Sequence, residues 1–482
     1  ALNSNTTGYN NVANGEAALY TNTTGNQNTA NGSQALKYNT TGNDNVANGF
    51  QALFSNTTGS NNTANGDIAL NSNTTGYHNT ANGSQSLNRN TTGINNVANG
   101  YQALYWNATG HSNVANGSQA LFYNTTGNQN TANGYQALYS NVDGSLNVAN
   151  GYQALYSNTS GYSNVANGVQ ALNKNTTGRE NTATGAYALN SNTSGYNNTA
   201  TGAYALEDNA TGTNNTATGR NSLRNNVTGE KNTANGYMAL YDNNGDYNTA
   251  IGYQALNIQT MNHKNVAIGY QSGFHNAGNN GGNNNTFLGS NTDIDDNSSE
   301  LSNSTALGYG ALITASNQIM LGTSMETVVV PGQFHVINNL SNTDLIKVTS
   351  QNASGHAGII LENTAINGGK FFMITPGNDW QIGPNKLIIG SGASSSGNAK
   401  MTMLENGFIG IGTTTPTCPL YVNGYANMGS YSKYINANNN YSAISGTMDT
   451  GIYTTSGIGC SIITFHSDER IKKNIVDVPD NL

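Results

Sequence analysis

Ala154-Leu155-Tyr156-Ser157-Asn158-Thr159-Ser160-Gly161-Tyr162-Ser163-Asn164-Val165-Ala166-Asn167-Gly168-Val169-Gln170 is one of fifteen consecutive 17-residue units that open this 482-residue chain. Its Ala-Leu pair begins at Ala1 and returns once in every unit to Ala239, with Ser86 and Ser222 standing in for alanine. One residue is lost between Asp242 and Gly245, and the pattern resumes at Ala255 and Ser272. Self-similarity at a fixed period is the signature of stacked coils, each a supersecondary unit that buries its apolar face against its neighbours. Gly161 and Gly168 recur at fixed phase, which implies backbone positions needing positive φ or close chain approach, and Asn-Thr-Ser-Gly is turn chemistry. Asn164-Val165-Ala166-Asn167-Gly168 alternates as a short strand does, while two glycines and several Asn and Thr per unit disfavour helix.

Coils in register place identical residues about 4.8 Å apart, so Asn ladders on Asn along a rod of roughly 80 Å. Alanine and glycine are expected to point inward, and Val, Thr and Asn outward or towards a neighbouring chain. One Leu, two or three Ala and an occasional Tyr make a thin core for a lone coil, which predicts completion by other chains, most simply in a trimer. The fold class expected is therefore all-β: a parallel β-solenoid or β-roll of 17-residue repeats, an intertwined homotrimer, followed by a β-rich shaft or compact β domain.

Composition agrees with a backbone-dominated structure. Only 8% of residues are charged and 35% are hydrophobic, too little apolar material for ordinary globular cores. The formal charge is only -8, and the six prolines (Pro331, Pro376, Pro384, Pro416, Pro419, Pro479) all lie beyond residue 330. A disordered chain normally carries more charge and more proline. Mild acidity without a basic run argues against nucleic acid as a partner. No apolar stretch reaches the length of a membrane span, and no signal peptide is visible. Cys418 and Cys460 fit neither a disulfide framework nor a zinc site and read as free thiols. The seven histidines (His78, His111, His263, His275, His335, His356, His466) show no metal-ligand spacing, so no metal and no cofactor is expected.

Units such as Asn248-Thr249-Ala250-Ile251-Gly252-Tyr253-Gln254-Ala255-Leu256 resemble the head repeats of trimeric autotransporter adhesins and the related repeats of phage and large-virus fibres. The resemblance implies a left-handed parallel β-roll in trimers, although the unit here is longer than the usual adhesin repeat. At the other end, Ser467-Asp468-Glu469-Arg470-Ile471-Lys472-Lys473-Asn474-Ile475 resembles the opening of the intramolecular chaperone, or S74 peptidase, domain of endosialidases and tail fibres. That family's domain aids trimerisation and then cuts itself off just before the serine. The resemblance implies cleavage after His466, with Ser467 as nucleophile and Lys472 as proton acceptor, Asp468 and Arg470 orienting the segment. A solvated basic turn is the plainer account of Arg470, Lys472 and Lys473.

The chain is thus expected to divide into 17-residue β-roll repeats over 1–273, an irregular transition and repeat cap over 274–332, a β-rich domain over 333–405, a β shaft or connector over 406–466, and the truncated start of the chaperone over 467–482. The expected function is a structural fibre of a virus particle, located on the virion surface or outside the cell. It would present a rigid trimeric rod to a host-surface glycan or receptor and be held by a virion attachment protein on the N-terminal side, without membrane insertion. A bacterial trimeric adhesin is one rival, but heptads and anchor-barrel strands are not seen. A polysaccharide-degrading tailspike is the other. It needs two carboxylates about 5 to 9.5 Å apart. Asp44 and Glu180 share a phase but stand eight coils apart, and Asp208 and Asp242 stand two coils apart, at about 10 Å.

Three further features carry a functional and a plain reading. Asp293, Asp295, Asp296 and Glu300 could bind calcium, but they lack EF-hand spacing and read as a solvated acidic loop. Trp380 could stack on sugar, though beside Ile382 it reads as core. Asn-x-Thr/Ser recurs at one turn phase in thirteen units, at Asn5, Asn22, Asn39, Asn56, Asn73, Asn90, Asn107, Asn124, Asn158, Asn175, Asn192, Asn209 and Asn226. These are glycosylation candidates that would make a sugar-bearing stripe. Turn chemistry explains the same residues and is preferred.

Overall fold

The structure is a computed structural model. It describes residues 1–259, 261–274, 282–295, 300–323, 325 and 327–331, then 357–362, 370–375, 386–391, 399–412, 414–416, 420–422, 425–428, 431–434, 451–454 and 463–466. Every regular element among them is a strand, and no helix is long and apolar enough to cross a membrane. The chain forms two compact units, Ala1–Val329 and Val330–Leu482.

The first unit is a parallel β-solenoid. Three-residue strands, beginning with Val12–Asn14 and Thr29–Asn31, stack into one 19-stranded sheet. Register follows the sequence period: Val165 lies on Val148, Ala166 on Ala149 and Asn167 on Asn150. The strand's central alanine is buried and its flanks are outward, because successive side chains point to opposite faces. Backbone hydrogen bonds tie each coil to both neighbours, as in Val165 N–H to Asn181 O at 2.8 Å and Gly168 N–H to Asn150 O at 2.8 Å.

Each coil closes its own core. Ala154, Leu155 and Ala166 are at 0% exposure, and so are Asn158 and Asn164. Two expectations are corrected here. Asparagine does not only face outward, since two per coil are fully inside. The thin apolar core does not need other chains to cover it, because buried carboxamides fill the remaining cross-section.

The two glycine phases are constrained partly alike. A Cβ would collide with the next coil at both, with Gly185 O at Gly168 and with Gly178 O at Gly161; Gly168 in addition has φ 145°, while at Gly161 the Cβ would also meet Asn158 Oδ1. Three other residues per coil adopt the left-handed region without being glycine, such as Gln153 (φ 51°), Leu155 (φ 52°) and Ser163 (φ 55°). Such residues cost on the order of 1 kcal/mol or more each. They turn alternate amides towards opposite neighbours: Gln153 N–H reaches back to Tyr135 O at 3.0 Å and Leu155 N–H reaches forward to Ala171 O at 3.0 Å.

The solenoid does not stop at residue 273. Thr286–Leu288, Thr305–Leu307 and Ile319–Leu321 add three more parallel rungs to the same sheet. Longer coils have more interior to fill, and Phe287 replaces the inward alanine at 1% exposure.

The second unit holds a six-stranded sheet. Ala357–Glu362, Lys370–Thr375, Lys386–Ser391 and Ala399–Leu404 form an antiparallel meander, followed by Ile409–Ile411 and Leu420–Val422. Phe372, Ile374 and Ile388 are buried in it. Between Ala399–Leu404 and Ile409–Ile411 lies a tight turn closed by Leu404 N–H to Phe408 O at 2.9 Å. Two antiparallel pairs, Tyr425–Met428 with Tyr431–Tyr434 and Gly451–Thr454 with Ile463–His466, are the other described strands of this unit.

Candidate functional site

The repeat builds ladders, and those inside the coil must be separated from those outside. At the sequon phase, Asn158 Nδ2 donates to Asn141 Oδ1 at 2.8 Å and to Gly161 O at 2.9 Å. At the second buried phase, Asn164 Nδ2 donates to Gly178 O at 2.8 Å, while Asn147 Oδ1 accepts from both Asn164 N–H and Nδ2. Every donor is used, which is what makes buried amides tolerable.

This placement tells against a glycan stripe in the folded rod. Twelve of the thirteen sequon asparagines, Asn22 to Asn226, are at 0% exposure. Their Nδ2 atoms, which would carry the sugar, are committed inside. Asn5, in the first coil, is the exposed exception. Folded chain made through a eukaryotic secretory route is expected to show no hexose at those twelve positions by intact and peptide mass. A glycan on any of them in folded material would contradict the burial.

The outer surface carries an aromatic cluster. Tyr105, Phe122, Tyr139 and Tyr156 lie at one phase, each a single unit from the last, and stack with ring centroids 5.1, 5.1 and 5.0 Å apart. Trp106 and Tyr123, at the next phase, pack edge-on against Tyr105 and Phe122 at 5.5 and 4.6 Å. The Arg89 guanidinium lies 4.9 Å from the Trp106 ring. Burial, then the neighbouring Tyr123 and Tyr156 rings, raises the Tyr139 phenol above its ordinary value. Phe122 and Tyr139 spend both ring faces on neighbours. Trp106 and Tyr123, 39% and 43% exposed, are the rings open to a ligand. Four residues before the Trp106 and Tyr123 phase runs a glutamine ladder, with Gln136 Nε2 to Gln119 Oε1 at 2.9 Å and Gln153 Nε2 to Gln136 Oε1 at 2.9 Å. The cluster was not among the expected sites, although its once-per-unit spacing in the sequence marks it.

Charged groups are sparse. Arg224 Nε donates to Glu207 Oε2 at 2.6 Å. Partial burial lowers the Arg224 pKa, and the bond to Glu207 outweighs it, leaving the guanidinium raised. Lys231 Nζ donates to the Tyr247 hydroxyl at 2.7 Å, which raises the ammonium. The rung between Asp208 and Asp242 holds Asn225, which donates to an Asp242 oxygen.

Asp293 and Asp295 border a shallow depression of about 260 Å³ with Gln271, Phe274, Asn291, Ile294 and Leu312. Among the described residues no group of three or more His, Cys, Asp or Glu is placed to hold a metal ion. Asp296, Trp380, Cys418, Cys460, Ser467, Asp468, Arg470, Lys472 and Lys473 lie outside the described residues, and the last described strand ends at His466. No family model matches the chain. No curated protein matches it significantly either.

Proposed function

We propose that this chain is a fibre subunit of a virus particle: a rigid rod that assembles as a parallel homotrimer, projects from the virion surface and attaches to a host-surface glycan. The observation that carries the reading is the unbroken parallel register from Val12 to Leu321, through all nineteen rungs. At about 4.8 Å per rung the stack is about 85 Å long. Internal amide ladders and backbone bonds hold each coil on both sides, a construction suited to reach and stiffness.

Trp106 and Tyr123 supply aromatic faces of the kind that pack on the apolar side of a sugar ring. The glutamine ladder, four residues earlier in each unit, supplies polar groups for its hydroxyls. The test uses the full chain on a glycan array, with electron microscopy of the same sample. Rods of about that length and retention on a defined set of glycans are expected, with retention lost in a Trp106→Ala/Tyr123→Ala pair that keeps the rod. Compact particles would defeat the fibre reading. Rods whose retention survives the double substitution would move attachment elsewhere.

At the C-terminal side we propose autocleavage on the strength of the Ser467 to Ile475 resemblance. The Ser467 hydroxyl attacks the His466 carbonyl carbon as Lys472 accepts its proton. The His466–Ser467 C–N bond then breaks, the nitrogen takes that proton from Lys472 to become the Ser467 amine, and an ester joins the His466 carbonyl to the Ser467 oxygen; water hydrolyses this ester, leaving a carboxylate on His466 and the free hydroxyl on Ser467. This chemistry requires a lysine with pKa lowered towards neutrality. A parent chain carrying the whole chaperone domain is expected to yield a product ending at His466, and Ser467→Ala and Lys472→Ala variants are expected to abolish it. A variant that still cleaves at the parent's rate would refute the assignment.

A further inference from the structure

The outward-facing third residue of the strand triplet changes character along the rod. In the first fourteen rungs it is Asn or Thr, from Asn14 to Asn235. There the asparagines pair along the axis, as in Asn150 Nδ2 to Asn167 Oδ1 at 2.7 Å, and need no partner from another chain. In the last five rungs the same position holds Ile251, Ile268, Leu288, Leu307 and Leu321. The register stacks them one on the next. Each is 39–43% exposed. Two residues further on, Tyr253 and Tyr270 stack at 5.3 Å and are 44% and 50% exposed, and Tyr309 is 67% exposed; the earlier rungs carry exposed tyrosines at this phase too, at Tyr101, Tyr135 and Tyr152, so the aliphatic ladder is what sets the last five apart.

We propose that this ladder is the face by which copies of this chain join side by side, so that self-assembly of the solenoid is confined to its last five rungs. The five aliphatic side chains leave on the order of 400 Å² in water, and the tyrosines bring the face to roughly 700 Å². The largest apolar patch on a typical monomer is about 300–600 Å², and a stable interface takes about 800 Å² from each partner. The occupant is a second copy because five apolar residues repeated at strand spacing are best matched by a surface of the same period. A parallel copy in register supplies one, aliphatic on aliphatic, around a rotation axis along the rod. No charged residue stands at this position in any of the five rungs.

The stoichiometry expected of the assembly rests on the trimeric-fibre reading, whereas the location of the face does not. The test is the solution mass of the full chain by light scattering, beside an Ile268→Asn/Leu288→Asn/Leu307→Asn variant. Asparagine is what the earlier rungs carry at this position, so the coil accommodates it. Three times the 50.3 kDa chain mass is expected for the parent. The variant is expected to run as a monomer at concentrations ten times above those at which the parent remains assembled. A Leu288→Cys chain treated with a short bis-maleimide gives a second readout: a 288-to-288 link between copies, mapped by peptide mass. It decides the matter should the triple variant misfold.

A trimeric parent with a trimeric, folded variant overturns the face and leaves the trimer standing. A monomeric parent overturns both. A link from the thiol introduced at position 288 to the Val330–Leu482 unit of its own chain overturns the face by giving it a different occupant.

Discussion

Asn130→Asp is expected to open the rod at its coil, at a cost on the order of 3–5 kcal/mol. Asn130 is at 0% exposure. Its Nδ2 donates to Asn113 Oδ1 at 3.2 Å and to Gly144 O at 2.8 Å, while its Oδ1 accepts from Asn147 N–H and Nδ2 at 3.0 and 3.2 Å. A carboxylate keeps the two acceptor contacts and turns both donor contacts into oxygen facing oxygen, with a charge that water cannot reach. Protonation relieves the charge and restores at most one donor. Because each coil touches only its neighbours, the damage is expected to be local. Hydrogen exchange should lose protection across roughly one coil on each side, and protease should nick there first. The outer ladder gives the contrast: Asn133 is half-buried, and Thr184 occupies its phase three coils on, so Asn133→Thr is expected to stay within about 0.5 kcal/mol. Equal sensitivity at Asn130 and Asn133 would show that the inner ladder is not special.

Gly134→Ala is expected to be comparably severe for a steric reason. Gly134 has φ 137°, where side-chain-bearing residues are strained. An added Cβ would also stand 2.5 Å from Gly151 O and 2.8 Å from Gly151 C. That neighbour cannot yield cheaply, because Gly151 N–H is bonded to Asn133 O at 2.8 Å and the next coil presses on Gly151 in the same way. Backbone strain and overpacking together come to roughly 3 kcal/mol or more. Gly407, with φ 81° and nothing within 4 Å of a built Cβ, isolates the conformational part, and Gly407→Ala is expected to cost about 1 kcal/mol. Site-resolved hydrogen exchange is the appropriate measurement for both, since a long repeat array beside a second unit does not melt as one cooperative system. If Gly134→Ala leaves protection at residues 117–151 unchanged, the close approach of coils at this phase is wrong.

Much of the site was written in the repeat. The run Tyr105, Phe122, Tyr139, Tyr156 can be read directly from the unit spacing, since residues one period apart are neighbours in space. So can the ladder Ile251, Ile268, once each position in the unit is followed as its own column. Thereafter the column must be followed across coils of unequal length, because Leu288 and Leu307 each stand more than one period beyond the rung before. Only pairing in the sheet shows that Leu288, Leu307 and Leu321 continue it.

The sequence alone determined the coil length, the parallel register and the inward place of Ala154, Leu155 and Ala166. A fixed period makes each residue's hydrogen-bonded neighbour its own copy in the next coil, and apolar residues at constant phase must share one side. Only the tertiary structure decided that Asn158 and Asn164, unlike Asn167, lie inside against the outward expectation, and that Leu155 turns through the left-handed region. Burial of an asparagine depends on whether closing the coil brings donors and acceptors within reach of its amide, and the residue type does not carry that information. The same closure let a single chain cover its own core, which moved the case for self-assembly from the interior of the coil to the apolar ladder on its outside.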